Sequence, residues 1–273
     1  MQYVEANGAR IPIVGFGSMR LKQEDGVKVI AGALRIGYRH IDTAQAYDNE
    51  REVGEALRAS GVKREDVFLT TKVAWQRFKP DDLTRSVNES LERLQVSHVD
   101  LLLLHWPNPQ IPLAETMGAI CKVKRAGLTR HIGISNFTLP LIDEAVKLAS
   151  EPIVTHQIEV HPFLDRAKII AASAKHGISI TAYCPIARGR VPGNEVLTRI
   201  GEKYNKTAAQ ISLRWLVQQG IIVIPGSSKL ERVAENFAIQ DFTLTDAEMT
   251  EIGGLKRADG RVVNPPHAPQ WDG

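Results

Sequence analysis

The feature that most constrains this chain is an alternation. Short runs rich in β-branched and aliphatic residues are separated, again and again, by longer stretches with helical period. The runs are Gly15 to Ser18, Tyr38 to Thr43, Val67 to Lys72, Val99 to His105, His131 to Ser135, Val154 to Glu159, Ile178 to Cys184 and Ile221 to Pro225. Strand, helix and next strand in one sheet give parallel neighbours joined by crossovers. Eight strands are the number that closes a (β/α)8 TIM barrel, and 273 residues suit such a barrel, which takes about 250. A doubly wound sheet would instead need a Gly-x-Gly-x-x-Gly turn, but in Gly15-Phe16-Gly17-Ser18-Met19-Arg20 an arginine stands where the third glycine belongs.

Local signals fit this α/β reading. Tyr3 to Ile13 carries Asn7-Gly8 between two short extended stretches, which predicts a β-hairpin ahead of the first barrel strand. Pro80 sits near the start of a predicted helix over Asp81 to Leu94, whose Leu83, Val87, Leu91 and Leu94 recur at helical spacing and predict one buried face. Thr245-Asp246-Ala247-Glu248 has the form of a capping box. No linker-like segment, charge run or repeat interrupts the pattern, so residues 1–273 are expected to form a single domain.

Composition narrows the function classes. Thirty-four Lys and Arg against 31 Asp and Glu leave a formal charge of +3, without the clustered basic block that nucleic acid or an anionic membrane would require. Two cysteines, Cys121 and Cys184, lack the spacing of a disulfide framework or a zinc site. The start, Met1 to Val14, shows neither the basic nor the apolar region of a secretion signal, and no apolar run approaches a membrane span of ~20 residues. A cytoplasmic protein is expected, and without a long apolar surface segment, a monomer.

Barrel enzymes carry their reactive groups at the C-terminal ends of the strands. Here those ends bear Asp42, Lys72, His105 and Ser135-Asn136, each separated from the next by about thirty residues, the length of one βα unit. Neighbouring strands would bring them together, with Tyr47 close by. Each alone is more often an ordinary ion pair or a rim histidine; the joint spacing points to a site. A phenol of pKa ~10 is a poor acid at neutral pH, and a cation such as Lys72 beside it is expected to lower that value. Asp42 would orient Lys72, and His105 would hydrogen-bond a carbonyl oxygen. Such a set protonates a carbonyl and calls for a hydride donor rather than a metal.

Along nearly its whole length the chain resembles an aldo-keto reductase, and more closely the bacterial diketogluconate reductases. The resemblance rests on Asp42-Thr43-Ala44-Gln45-Ala46-Tyr47-Asp48-Asn49-Glu50, Thr71-Lys72, Leu103-Leu104-His105-Trp106-Pro107, Gly133-Ile134-Ser135-Asn136-Phe137 and His156-Gln157-Ile158-Glu159-Val160-His161-Pro162. Ile224-Pro225-Gly226-Ser227 through Arg232 to Glu235-Asn236 completes it. It implies a barrel whose bottom is closed by the hairpin, NADPH lying across the top, Tyr47 as acid/base, Lys72 and Asp42 as its tuners and His105 as the substrate-orienting group. It further implies that Ser135, Asn136 and Gln157 hold the nicotinamide carboxamide, that Tyr183 stacks on the ring, and that Ser227, Ser228, Arg232 and Asn236 surround the adenosine end. Arg232 suits a 2′-phosphate. Many relatives carry lysine where this chain has Gly226 before Ser227, so the preference for NADPH over NADH is expected to be narrower and NADH a weaker alternative.

The similarity of Tyr183-Cys184-Pro185-Ile186-Ala187-Arg188-Gly189 to the diketogluconate reductases implies keto sugars or small dicarbonyls as substrates. Trp75, Trp106 and Trp271 are expected to wall the pocket, although tryptophan is often plain core. Met19, where many relatives have an aromatic ring, would favour breadth. Cys184 has no evident base and reads as packing. His156 faces away from Glu159 and His161 on a strand, so the three do not form a metal site. The alternative to a reductase is an NADPH-binding regulatory or interaction barrel with little turnover, and the intact proton-donor set favours the enzyme.

Overall fold

The computed structural model describes residues 2–272. The chain opens with an antiparallel hairpin, β1 (Tyr3–Ala6) and β2 (Ala9–Pro12), turning on Asn7 and Gly8. Both turn residues have positive φ, 45° and 84°, as a two-residue turn matched to the strand twist requires. Then follow β3 (Phe16–Gly17), α1 (Gln23–Ile36), β4 (His40–Asp42), α2 (Glu50–Ser60), β5 (Phe68–Val73), α3 (Pro80–Leu94), β6 (Val99–Leu104), α4 (Leu113–Arg125), β7 (Thr129–Ser135), α5 (Leu139–Leu148), β8 (Ile153–Glu159), α6 (Ala167–Ala174) and β9 (Ser179–Tyr183). Two helices in succession, α7 (Glu195–Tyr204) and α8 (Ala208–Gln218), precede β10 (Ile222–Val223), and α9 (Leu230–Phe237) and α10 (Asp246–Gly253) follow it.

Strands β3 to β10 pair in parallel in chain order. The seam between first and last is closed by Gly15 N–H to Val223 O (2.8 Å), Gly17 N–H to Pro225 O (3.1 Å) and a parallel bridge between Val14 and Val223. The eight strands thus make the expected (β/α)8 barrel. Those at the seam, β3 and β10, are two residues each, shorter than the sequence runs, because the chain turns into loops where the glycines and Pro225 lie.

The period of two sorts the strand residues. On β6, Leu101 and Leu103 face the barrel interior, where Val154, Ile222 and the hairpin residues Ala9 and Ile11 join them in one cluster, while Leu102 and Leu104 face the helices. The hairpin therefore plugs the bottom. Asn7 anchors it there, its amide donating to Ile153 O (2.7 Å) and His176 O (3.0 Å). Outside, Leu83, Val87, Leu91 and Leu94 of α3 are buried as the spacing predicts, with Pro80 in the first turn. Thr245 and Glu248 form the expected capping box, and Thr207 with Gln210 forms a second at α8. Among the described residues no helix is long and apolar enough to cross a membrane.

Candidate active site

Pairing register decides which polar side chains enter the barrel. Lys72 pairs with Leu103, an interior residue, and Gln157 on β8 pairs with Thr181. Asp42, at the end of β4, reaches both. Lys72 Nζ donates to Asp42 Oδ1 (2.5 Å), to Thr43 O (2.8 Å) and to the Tyr47 phenol oxygen (3.2 Å), and Gln157 Nε2 donates to Asp42 Oδ2 (2.8 Å). Lys72 is 0% exposed and Asp42 1%. A buried ion pair is tolerable only when its remaining donors and acceptors are used. Here all three ammonium hydrogens have acceptors, and both carboxylate oxygens have donors.

Tyr47 rides on a one-turn 3₁₀ helix, Gln45–Tyr47, and Gln45 fixes that turn. Its oxygen accepts Ala74 N–H (2.9 Å) and its amide donates to Ser86 O and Ser90 Oγ, each at 3.0 Å. On the outward side of β5, Thr71 donates to Glu50 Oε1 (2.6 Å), and Arg93 Nε holds the other oxygen (2.8 Å), tying the strand beside Lys72 to α2 and α3. Gln45 and Glu50 lie within a segment that carries the family resemblance, which implied a role for neither.

The phenol does not behave as the sequence suggested. Burial, followed by Asp42 and Cys184, raises the Tyr47 pKa well above its ordinary value. This corrects the expected lowering by Lys72. Burial also lowers the lysine's own pKa, against which Asp42 and Glu50 act. The phenol of the free protein is therefore a protonated donor. His105 follows β6 and meets Tyr47 edge to face, ring centroids 5.7 Å apart. Burial, then Lys72 and His267, drives its pKa well below the ordinary histidine value, so its ring is neutral and keeps one N–H.

Beside this group, Ser135 Oγ donates to Gln157 O (2.8 Å), Asn136 Nδ2 to His105 O (3.0 Å), and the Tyr183 hydroxyl to Asn136 Oδ1 (2.7 Å). Asn136 takes a left-handed backbone, φ 63°, to turn its amide into this cluster. Neither Ser135 nor Asn136 caps α5, whose N-cap is Thr138. At the start of α9, Ser227 accepts Lys229 N–H (3.1 Å), Ser228 and Arg232 are exposed before and within the first turn of the helix, and Asn236 is buried on it. Gly226 lies against Gly17: a Cβ built on it would stand 2.5 Å from Gly17 O.

Two of the three tryptophans, Trp75 and Trp106, meet through His267, for which the sequence indicated no role. His267 stacks on Trp75 (5.4 Å) and meets Trp106 edge-on (5.2 Å), and Trp106 meets Trp271 (6.1 Å). Trp106 is buried, the other two half-buried; Met19 is exposed in the loop after β3. Glu159 anchors the tail that carries Trp271, accepting Val262 N–H (2.6 Å), Val263 N–H (2.9 Å) and the His161 ring (2.9 Å). His156 points elsewhere, to Phe137 N–H and Ser173, as its strand position requires. Burial raises the Cys184 thiol pKa, which keeps it inert.

A lysine, aspartate, tyrosine and histidine gathered at the strand ends of an eight-stranded barrel have a counterpart among known proteins. Residues 13–257 match the model described as Aldo/keto reductase family. This chain belongs to that family. It is 42% identical over 266 residues to the methylglyoxal reductase DkgB of Escherichia coli O157:H7, covering 96% of this chain and 99% of that protein. A solved structure of a protein provisionally named 2,5-diketo-D-gluconic acid reductase B superposes with a TM-score of 0.98 at 48% identity, covering 100% of this chain and 98% of that one. A Bombyx mori aldo-keto reductase, solved in complex with NADP, superposes with a TM-score of 0.89 at 32% identity over 97% of this chain and 96% of that one. Aldo-keto reductases act on small carbonyl compounds with NAD(P)H, and this chain is an oxidoreductase of that kind.

Proposed function

We propose that the chain reduces aldehydes, ketones and keto sugars to alcohols with NADPH, Tyr47 giving the proton. One observation carries the reading: Lys72 donates to the Tyr47 oxygen, so the phenol's own hydrogen is left for an acceptor in the pocket. That acceptor is the carbonyl oxygen. As negative charge develops there, Tyr47 transfers its proton, and the phenolate left behind is stabilised by the Lys72 ammonium already in contact. Neutral His105 donates a hydrogen bond to the same oxygen and sets its angle. Asp42 and Gln157 hold Lys72 in place. The names of the relatives above, a methylglyoxal reductase and a diketogluconic acid reductase, support small dicarbonyls and keto sugars as the substrate class.

The residues present fit a nicotinamide dinucleotide. Gln157 uses its amide nitrogen on Asp42 and keeps its oxygen for a carboxamide N–H, with Ser135 and Asn136 alongside. The half-buried Tyr183 ring offers a stacking platform beside them, and exposed Arg232, with Ser227 and Ser228, suits a 2′-phosphate. When bound, the reduced nicotinamide supplies the hydride. The test is a carbonyl panel assayed with NADPH and NADH in parallel. Turnover faster with NADPH is expected; cofactor binding seen by tryptophan quenching, without turnover, would assign the regulatory barrel instead.

A further inference from the structure

The proposed proton donor, Tyr47, is bracketed in sequence by two residues that end on one turn of α3. Gln45 stands two positions before it and Glu50 three after. Gln45 Nε2 donates to Ser90 Oγ (3.0 Å), and Glu50 Oε2 accepts from Arg93 Nε (2.8 Å) and Nη2 (2.7 Å). Ser90 and Arg93 lie three residues apart and so share one face of the helix. They are also joined directly, Arg93 Nη2 donating to Ser90 Oγ (3.1 Å). Ser90 gives its own hydrogen to Ser86 O (3.1 Å), so its donor and both lone pairs are in use.

The same network reaches Lys72. Thr71 donates to Glu50 Oε1 (2.6 Å), and Lys72, the next residue on β5, turns the opposite way into the barrel and donates to the Tyr47 oxygen (3.2 Å). The contacts therefore close a ring that starts and ends on the phenol. Glu50, Thr71 and Ser90 are buried, so water does not compete for their bonds. The helices that carry the ring are fixed against each other: a Cβ built on Gly54 of α2 would stand 2.4 Å from Leu94 O, one residue beyond Arg93. Charge neutralisation accounts for Arg93 on Glu50, since a buried carboxylate requires a cation. It does not account for the second arm, through Ser90 to Gln45, which holds only the turn that carries Tyr47.

We propose that Arg93 and Ser90 are positioning residues, a clamp on α3 that sets the separation of the Tyr47 phenol and the Lys72 ammonium by holding Gln45 and Glu50 on either side of the tyrosine. The proposal rests on the reductase reading and extends its geometry to a helix outside the barrel. A planar guanidinium suits the part, because its fork meets the carboxylate and the hydroxyl at once. Misplacing a reacting group by about 1 Å costs up to about a hundredfold in rate, so a loosened clamp acts on kcat. The groups proposed to hold substrate and cofactor are not among its contacts, so KM should be spared.

The experiment follows methylglyoxal reduction with NADPH in Arg93→Met, Arg93→Lys and Ser90→Ala. Arg93→Met is expected to lower kcat about tenfold with KM within about twofold of wild type. Arg93→Lys, which keeps a cation on Glu50, should recover part of the loss. Ser90→Ala leaves the Glu50–Arg93 pair intact and cuts only the second arm; kcat should fall about threefold at unchanged KM. Unchanged kcat in Ser90→Ala, or a loss carried by KM in Arg93→Met, overturns the clamp. The phenol's surroundings are read directly in protein labelled with carbon-13 at the tyrosine Cζ, the Tyr47 resonance being assigned by its loss in Tyr47→Phe. That resonance should move in Arg93→Met and in Ser90→Ala, while those of Tyr38 and Tyr204 stay in place, which separates the clamp from a general loosening of the fold. If wild type turns over no carbonyl, the reductase reading is what fails, and the resonance alone decides. A Tyr47 signal unmoved in both variants overturns the proposal whether or not the protein turns over.

Discussion

At the floor of the pocket Lys72 is wholly buried and its three donors are all used, whereas at the adenosine end Arg232 and Ser228 lie in solvent on a short helix and the loop before it. The floor is preorganised: its hydrogen bonds exist before any substrate arrives, so little reorganisation accompanies proton transfer. The outer end is a set of side chains free to move onto a ligand. Removing a floor residue leaves buried charge or an orphaned donor, so activity and stability should fall together. Removing an outer residue leaves only solvent, so affinity alone should change.

The largest effect is expected from Tyr47→Phe. Loss of a positioned general acid costs about a hundred- to ten-thousandfold in rate, and NADPH affinity should be unaltered. A fall of less than about tenfold, ~1.4 kcal/mol of barrier, would show that another group gives the proton. The raised Tyr47 pKa and the depressed His105 pKa also fix the shape of the pH profile. Reduction needs the phenol protonated and the imidazole neutral, and both conditions hold between about pH 6 and 8, so kcat for reduction should be level there. Alcohol oxidation needs the phenolate and should rise with pH. A reduction rate falling steadily across the neutral range would mean that the phenol titrates there, and the burial argument would fail.

Lys72→Met comes next, and it separates the two regions most directly. It strands the Asp42 carboxylate in the barrel, and breaking one partner of such a pair costs about 3–5 kcal/mol of stability. Turnover should fall about a hundredfold through loss of the cation beside the phenol. Urea unfolding with steady-state kinetics reads both. At the other end, Arg232→Ala should weaken NADPH by about ten- to a hundredfold and NADH little. Its unfolding free energy should stay within about 0.5 kcal/mol of wild type, since it is a surface change. Equal weakening of both cofactors would mean that Arg232 does not read the 2′-phosphate; a large stability loss would erase the contrast between floor and rim.

Asp42, Lys72 and His105 were legible because barrel topology converts a thirty-residue spacing into neighbouring strand ends, and the hairpin because Asn7-Gly8 demands a left-handed turn. Other features depend on contacts that no local pattern carries. The sign of the Tyr47 shift depends on how completely the loops bury the phenol, and Lys72 alone pointed the wrong way. Arg261 and His267 belong to a tail without periodicity, whose path is set by Glu159, a residue that in sequence read as a dismissed metal ligand. Arg166 lies in a loop, and that its Nε has no hydrogen-bond partner among the described residues is visible only once the neighbours are placed.

Gly226 is the smallest and most revealing case. As a sequence feature it is a lost phosphate contact, and on that ground alone Gly226→Lys would tighten NADPH selectively. The fold gives the glycine a reason of its own. It sits at the barrel seam, where Gly17 N–H bonds Pro225 O; a Cβ on Gly226 would meet Gly17 O at 2.5 Å, and one on Gly17 would meet Ile224 O at 2.8 Å. These neighbours are backbone, which cannot rotate aside as a side chain can. Lysine there must therefore shift the seam before its ammonium reaches any phosphate. Gly226→Lys should lower stability by about 1–3 kcal/mol, as overpacking does. Its effect on the ratio of NADPH to NADH dissociation constants should stay below about threefold, well short of the tenfold that 1.4 kcal/mol would bring. Gly226→Ala isolates the steric part, since it adds the Cβ without the charge, and should match the lysine variant in urea. If Gly226→Lys proved as stable as wild type and gained selectivity of about tenfold or more, the seam would be compliant, and the rim would be coupled to the barrel closely enough to weaken the distinction drawn between the two ends.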